Sequence, residues 1–269
     1  MKKYSVFVLL MVIMVTACKK NNSGSAKPSK SEETVMALLN MTTQKTYDEY
    51  DAVITLTASN QAPSSLNPDF EVLGTFRDLA RGILIPINNF GVGSKSIPLN
   101  SANNLYQANI LPSSSETDDY SRMFGTTSSF SGISPRLGNF TRNMYVPAIV
   151  QTDLSSNPDE FSKSNNVTVR WNADPANTED VGILLWYQGN SILNSSENLP
   201  AGNITYVTTA PDNGQYTISN SDLANFPTGG YITVTVGRGS QQIFNIGSTR
   251  QGVITASTIS VSEPKKVVL

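Results

Sequence analysis

The sequence predicts an all-β protein built from two tandem β-sandwich domains. Three features support this fold class. Short segments in which apolar and polar residues alternate recur along most of the chain. Glycine, proline, asparagine and aspartate cluster between these segments. Charged residues make up only 15% of the sequence. Alternation with a period of two is typical of strands that have one face in a core. The 269 residues are enough for two domains of ordinary size.

The chain begins with a segment that does not belong to the sandwiches. Met1-Lys2-Lys3 is basic, and the apolar run Val6–Ala17 that follows is shorter than the ~20 residues needed to span a bilayer. Small residues then precede Cys18, the only cysteine of the sequence. We therefore interpret residues 1–17 as a signal peptide. The alternative, an uncleaved spanning anchor, is disfavoured because the polar segment that begins at Lys19 stops any extension of the apolar run.

The residues Val15-Thr16-Ala17-Cys18 resemble the lipobox of bacterial lipoproteins. The resemblance implies cleavage before Cys18, attachment of a diacylglycerol to its sulfur, and a membrane partner reached through the lipid. Lys19 stands where an aspartate would retain a lipoprotein at the inner membrane. We therefore expect a lipid-anchored protein of the cell envelope at the outer membrane, on either the periplasmic or the surface side. Residues 18–31 are polar, with Gly, Pro and Ser, which predicts a flexible tether.

Composition excludes several kinds of chemistry. The sequence contains no histidine, which removes the Ser-His-Asp and Cys-His arrangements and histidine-ligated zinc. With Cys18 assigned to lipid, neither a thiolate nucleophile nor a disulfide remains. The formal net charge is −2, and loss of Lys2 and Lys3 with the leader makes the chain more negative, which opposes nucleic acid binding. We therefore predict a protein that is not an enzyme and does not bind nucleic acid.

The first domain is predicted over residues 32–143. A short helix, Ser31–Leu39, leads into it, because Ser31 is a good N-cap and two acidic residues follow in the first turn. The polar loop 113–122 interrupts the strands, and the prolines between them indicate edges, bulges or loops. The predicted strands are 52–58, 70–76, 82–87, 95–99, 105–110, 123–130 and 139–141.

The second domain is predicted over residues 144–269. Val167, Val169 and Trp171 alternate on one face, and we expect both Trp171 and Trp186 to lie in the core. Seven short strands at regular spacing, with a tryptophan in a middle strand, are typical of an immunoglobulin-like (Ig-like) sandwich. The predicted strands are 144–150, 166–171, 181–187, 204–208, 214–218, 230–236 and 251–261.

Four segments of this domain resemble the C-terminal Ig-like or fibronectin-III-like domain of Bacteroidota lipoproteins. They are Tyr145-Val146-Pro147, Val169-Arg170-Trp171-Asn172, Gly214-Gln215-Tyr216-Thr217-Ile218 and Gly229-Gly230-Tyr231-Ile232-Thr233-Val234. The resemblance covers residues 144–269 and the leader. Thr233 stands where an antibody domain would have cysteine, so the resemblance implies a sandwich without a disulfide.

One loop of the second domain is a candidate calcium site. Residues 172–180 join two predicted core strands and concentrate oxygen donors, and Ca²⁺ takes six to eight oxygen ligands in flexible geometry. The candidate ligands are Asp174, Asn177, Glu179 and Asp180. The alternative is ordinary turn chemistry, because Asp-Pro and Asn are also common turn formers. We expect no other cofactor.

Two tyrosines are the candidate ligand-binding residues. Tyr106 and Tyr120 flank the Ser-rich loop of the first domain, together with Phe124 and Phe130. Exposed aromatic rings stack on sugars or pack against a protein partner, whereas the alternative is that these rings fill the core.

The sequence therefore favours a non-catalytic binding or scaffolding role at the cell envelope, with another envelope protein or a glycan as partner. The alternative is a glycan-binding accessory lipoprotein for polysaccharide capture. A third hypothesis is an unrecognised hydrolase, which would need two carboxylates about 5 to 9 Å apart in a cleft. Its candidate acidic clusters are Asp48-Glu49-Asp51, Asp118-Asp119 and Asp159-Glu160.

Overall fold

A computed structural model describes residues 49–60, 68–196 and 198–269. The signal peptide, Cys18, the tether and the helix predicted at Ser31–Leu39 lie outside the described residues, so these remain predictions. Within the described ranges, the α-helices are Thr117–Ser121 (α1) and Asn220–Leu223 (α2), and a 3-10 turn covers Ile192–Asn194. None of these helices is long and apolar enough to cross a membrane.

Almost all other regular structure in the described residues is β-strand. The strands, numbered in chain order, are β1 Ala52–Asn60, β2 Asp69–Asp78, β3 Ile83–Leu84, β4 Asn88–Val92, β5 Lys95–Ser96, β6 Leu99–Asn100, β7 Leu105–Ile110, β8 Thr126–Ile133, β9 Phe140–Val146, β10 Thr152–Asp153, β11 Glu160–Ser162, β12 Val167–Trp171, β13 Val181–Tyr187, β14 Ile204–Ala210, β15 Gln215–Ile218, β16 Tyr231–Ile246, β17 Arg250–Val261 and β18 Lys265–Val268. The predicted all-β fold class is confirmed.

The first sandwich packs a mixed sheet against a four-stranded antiparallel sheet. In the mixed sheet, β1 runs parallel to β17 and antiparallel to β2, and β7 and β6 follow. The opposing sheet has the order β5-β4-β8-β9. Alternate residues of each strand meet in one core, which includes Ile54, Phe90 and Phe130. Gly74 permits this packing, since a Cβ there would lie 2.6 Å from the Phe90 ring.

The second sandwich has a separate core. One of its sheets contains β14, β13 and β16, and β18 and β11 continue it beyond β16. The opposing sheet has the order β10-β12-β15. Its core takes Val169 and Trp171 from one sheet and Ile183, Leu185 and Val234 from the other. The apolar segment predicted as a central strand, 181–187, does have neighbours on both sides, β14 and β16.

The two sandwiches share a sheet through the long hairpin of β16 and β17. Val234 and Val236 of β16 lie in the second core, whereas Phe244 and Ile246 of the same strand lie in the first. Eleven of the described strands therefore form one continuous sheet. The predicted strand 230–236 covers less than half of β16. The domain division at residue 144 remains a prediction, and part of the C-terminal stretch completes the first core.

Other differences from the predicted elements have local causes. Residues 144–146 end β9 in the first sandwich rather than opening the second, and Pro147, which has no N–H to donate, follows at once. Within the predicted polar loop 113–122, the structure has α1, where Asp118 and Asp119 occupy the first turn that the helix dipole favours. The segment Asn88–Val92 forms a strand that the sequence did not predict.

Candidate functional site

A buried polar cluster lies where the two sandwiches meet. We call it the Arg238 junction and define it as Tyr145, Asp174, Asp212 and Arg238. Arg238 sits in the middle of β16, between the part of the strand in each core, and is 0% exposed. Its Nε lies 3.4 Å from Asp212 Oδ2 and its Nη1 lies 3.7 Å from Asp174 Oδ2. Its Nη2 donates to the carbonyl oxygen of Asn172.

Neutral donors hold both carboxylates of the junction in addition to the guanidinium. Asp174, which is 5% exposed, accepts from the Tyr145 hydroxyl at 2.8 Å and from the Ala148 amide at 2.8 Å. Asp212 accepts from Trp171 Nε1 at 2.8 Å and from Asn177 Nδ2 at 3.0 Å. Buried charges are tolerated when they are paired and hydrogen-bonded. Both carboxylates meet both conditions, whereas Arg238 Nε and Nη1 are ion-paired with the aspartates but make no hydrogen bond among the described residues.

The protonation states of the junction follow from burial and from these partners. Burial alone would raise the pKa of Asp174, but the Ala148 amide, the Tyr145 hydroxyl and the Arg238 charge hold that pKa below its usual range. Burial, together with the hydrogen bond to Asp174, raises the pKa of Tyr145 to about 12. Burial lowers the pKa of Arg238, and the two aspartates oppose that shift. Asp174 is therefore ionised and Tyr145 protonated near neutral pH.

The junction also fixes the segment that links the sandwiches. The Val150 amide donates to Thr258 Oγ1 at 3.1 Å, and Thr258 Oγ1 donates to the Ala148 carbonyl at 3.2 Å. Ser240 Oγ donates to the Tyr145 carbonyl at 2.6 Å. The linking segment is thus attached to both strands of the shared hairpin. These contacts are suited to holding two modules in one orientation.

The predicted calcium residues do not form a single open site. Asp174 belongs to the junction, Asn177 donates to Asp212 and to the Glu179 carbonyl, and Asp180 is half-buried. Within residues 49–60, 68–196 and 198–269, no group of three or more Asp, Glu, Cys or His side chains is placed to hold a metal ion. A guanidinium 3.7 Å from Asp174 opposes a second cation there. The calcium site remains a prediction.

Tyr106 and Tyr120 are in the first core, in contrast to the exposure that ring stacking on a ligand requires. They are 5% and 3% exposed. The Tyr106 hydroxyl accepts from the Ile87 amide at 2.8 Å and donates to the Ile87 carbonyl. The Tyr120 ring stacks on Phe70. The period of β7 directs Tyr106 inward, and α1 brings Tyr120 onto the core, so burial rather than ligand binding explains both.

Trp186 does not lie in the core, where the sequence predicted it. It lies on the face of β13 opposite to Ile183 and Leu185, is half-buried, and pairs with Thr205 and Thr233 on the neighbouring strands. Its indole N–H and the Thr233 hydroxyl are buried atoms that have no hydrogen-bond partner among the described residues. Trp186 therefore places an aromatic ring between threonines on the outer face of the shared sheet.

The acidic clusters of the hydrolase hypothesis are tied to separate parts of the structure. Asp51 accepts from the Leu79 amide, Asp119 pairs with Lys95 at 2.6 Å, and Asp159 pairs with Lys265 at 3.4 Å; Asp48 lies outside the described residues. Burial raises the pKa of Asp69 and of Glu71, alternate residues on one face of β2 that the sequence did not single out. These two residues stand out only in the tertiary structure, where their carboxylates are partly buried.

The fold and the junction define a class of protein: two β-sandwiches that share one sheet and a buried ionic link. No protein-family model matches the chain, and no curated protein matches it. A crystal structure of a DUF3823 family protein from Bacteroides ovatus ATCC 8483 is similar over 80% of this chain and 99% of that chain, at 13% identity and a TM-score of 0.18. The structure of Dpr11 IG1 bound to DIP-gamma IG+IG2 is similar over 81% and 100%, at 8% identity and a TM-score of 0.18. Both TM-scores are too low to assign a family or a function.

Proposed function

We propose that this chain is a lipid-anchored protein of the cell envelope with a non-catalytic binding or scaffolding role. The observation that supports the scaffolding part of the proposal is the Arg238 junction within the shared sheet. A junction in which two loop aspartates pair with an arginine on a strand common to both cores suits a rigid two-module body that presents loops. The proposed place is the outer membrane, through lipid on Cys18.

Three carboxylates of the described residues are engaged in ion pairs, which supports a role without catalysis. Asp174 and Asp212 are committed to Arg238, and Asp78 is paired with Arg250 at 3.3 Å. A catalytic carboxylate needs a free proton-transfer position beside a substrate, which these pairings occupy. The partner in this role is another envelope protein or a glycan.

The anchoring step is tested by detergent phase partitioning of the full chain expressed in a bacterium that lipidates exported proteins. Wild-type protein is expected in the detergent phase, and the Cys18→Ala variant in the aqueous phase, because several acyl chains on one residue give stable anchoring. Mass spectrometry of the wild-type amino terminus supplies the control for processing. An intact leader in the mature protein would contradict the proposal.

Glycan capture is a second candidate function, and Trp186 is the observation that favours it. A half-buried indole beside the exposed Thr205 offers part of a ring and one hydroxyl on one sheet face, which is the chemistry that a sugar ring contacts. A glycan array probed with wild-type protein and with Trp186→Ala tests it. The matched control is Ile243→Ala, an exposed apolar residue elsewhere on β16. Glycan binding that persists in the Trp186→Ala variant would show that the glycan does not bind at Trp186.

A further inference from the structure

Strand β14 is an unusually open edge of the shared sheet. It pairs with β13 over all seven of its residues without a register shift, and no other described strand pairs with it. Its sequence, ITYVTTA, contains no charged residue, no proline and no glycine. Val207, at its centre, is 43% exposed. The outer side of this strand therefore presents a straight row of backbone donors and acceptors.

The other sheet edges of the described chain are protected in the ways that natural β proteins use. Strands β3, β5, β6 and β10 have two residues each, β11 has three and β15 has four. Among the described strands, the only other edge strand of seven residues is β9, which carries Arg142 and lies against β16. There Arg142 donates to the Asn245 carbonyl, and Ser240 donates to the Tyr145 carbonyl. Strand β14 has none of these protections.

The sequence of β14 is complementary to itself. In an antiparallel pair centred on Val207, Thr205 of each copy faces Thr209 of the other and Tyr206 faces Thr208. Threonine pairs and pairs of an aromatic with a β-branched residue are favourable across strands, and no like charges meet. A two-fold axis normal to the sheet produces this register and keeps each face continuous.

We propose that two copies of this chain pair through β14, antiparallel and centred on Val207, so that the shared sheet continues across the dimer. The inference goes beyond the proposed function, because self-pairing requires no envelope ligand. An edge of seven residues is small beside the ~800 Å² per partner of stable complexes, so the association is weak and reversible. Confinement of both copies on one surface would favour it.

Cysteine cross-linking tests the register directly. In a full-length Cys18→Ser background each introduced cysteine is the only thiol. Opposed residues of antiparallel strands have Cα atoms about 4.5 to 5.5 Å apart, within the reach of a disulfide. Val207→Cys, oxidised with copper phenanthroline, is expected to give about tenfold more covalent dimer than Ile243→Cys, a more exposed position off this edge.

Two further variants make the test specific. Thr205→Cys alone is expected to cross-link poorly, because the two copies of residue 205 would lie about 14 Å apart. A mixture of Thr205→Cys and Thr209→Cys chains is expected to give the mixed dimer. Adding Thr205→Lys to Val207→Cys is expected to suppress cross-linking, since charge on an edge opposes pairing, whereas adding Ile243→Lys is expected to leave it unchanged.

The outcomes separate cleanly. Equal dimer yields from Val207→Cys and Ile243→Cys would overturn the proposal, as would a yield from Thr205→Cys alone that matches Val207→Cys. Circular dichroism of each variant confirms folding, and both Val207 and Thr205 are exposed, so their replacement leaves the core intact. Failure of the cross-link, together with detergent partitioning of the wild-type chain as expected, would remove the dimer and leave the envelope role standing.

Discussion

Replacement of Arg238 by methionine is the sharpest test of the junction. The change keeps an unbranched side chain of similar reach and removes the charge that faces Asp174 and Asp212. Both carboxylates are almost completely buried, with side-chain exposures of 5% and 3%. Removing one partner of a buried ion pair typically costs 3–5 kcal/mol, because the remaining charge is left uncompensated.

The structure indicates that the expected loss in the free energy of unfolding lies near the lower end of that range. Asp174 keeps the hydrogen bonds that it accepts from Tyr145, Ala148 and Ala176. Asp212 keeps those that it accepts from Trp171 and Asn177. We therefore expect Arg238→Met to lower the free energy of unfolding by about 3 kcal/mol. Adding Asp174→Asn and Asp212→Asn is expected to recover part of this loss, since the buried charges are then gone.

Urea unfolding of the chain without residues 1–18 measures the effect. Both tryptophans lie in the second sandwich, so fluorescence follows that module while far-UV circular dichroism follows the whole chain. The wild-type transitions are expected to coincide, and those of Arg238→Met to separate, because the junction couples the cores. The matched control is Arg170→Met, an exposed arginine on β12, with an expected change within about 0.5 kcal/mol. If both variants lose the same small amount, the junction does not stabilise the fold.

Three further predictions concern the same residues. Tyr145→Phe removes the hydroxyl that donates to Asp174 and should cost about 1.5–3 kcal/mol in urea unfolding; an unchanged midpoint beside the control Tyr231→Phe would contradict this. The folded pKa of Asp174 is lowered, so its contribution to stability is complete above the unfolded value of about 3.9 and is lost as pH falls below it. Urea midpoints should therefore fall in acid, and less steeply in Asp174→Asn; equal slopes would exclude Asp174 as the cause. Millimolar Ca²⁺ should leave the melting temperature unchanged, since Arg238 already compensates Asp174, and a clear rise on adding Ca²⁺ would instead support the predicted loop site.

Local periodicity was sufficient for much of the fold. The alternation at 70–76 and 166–171 predicted strands that the structure contains, because one buried face imposes a period of two on a strand. The strands predicted at 52–58 and 105–110 are also present, although β1 is buried on both faces. The turn signal Asp212-Asn213-Gly214 likewise precedes β15, and Gly214 has the positive φ of 91° that such a turn requires.

The candidate site was less predictable, because alternation does not reveal which face has a core. Trp186 and Leu185 are neighbours in a segment that is apolar on both faces, and only the packed sheets place Leu185 inside and Trp186 outside. Nothing in the sequence pattern indicated that Arg238 is buried. An arginine in a strand is usually exposed, and its burial depends on two aspartates from loops distant in the sequence.

The sequence by itself determined the all-β class, the positions of most strands and the resemblance of the leader to that of a lipoprotein, since each depends on residues close together in the chain. Only the tertiary structure decided that β1 pairs with β17, about 200 residues away, and that one hairpin serves both cores. Such pairings depend on which distant edges meet once apolar faces are buried. That choice is made by packing of the whole chain, and no local pattern encodes it.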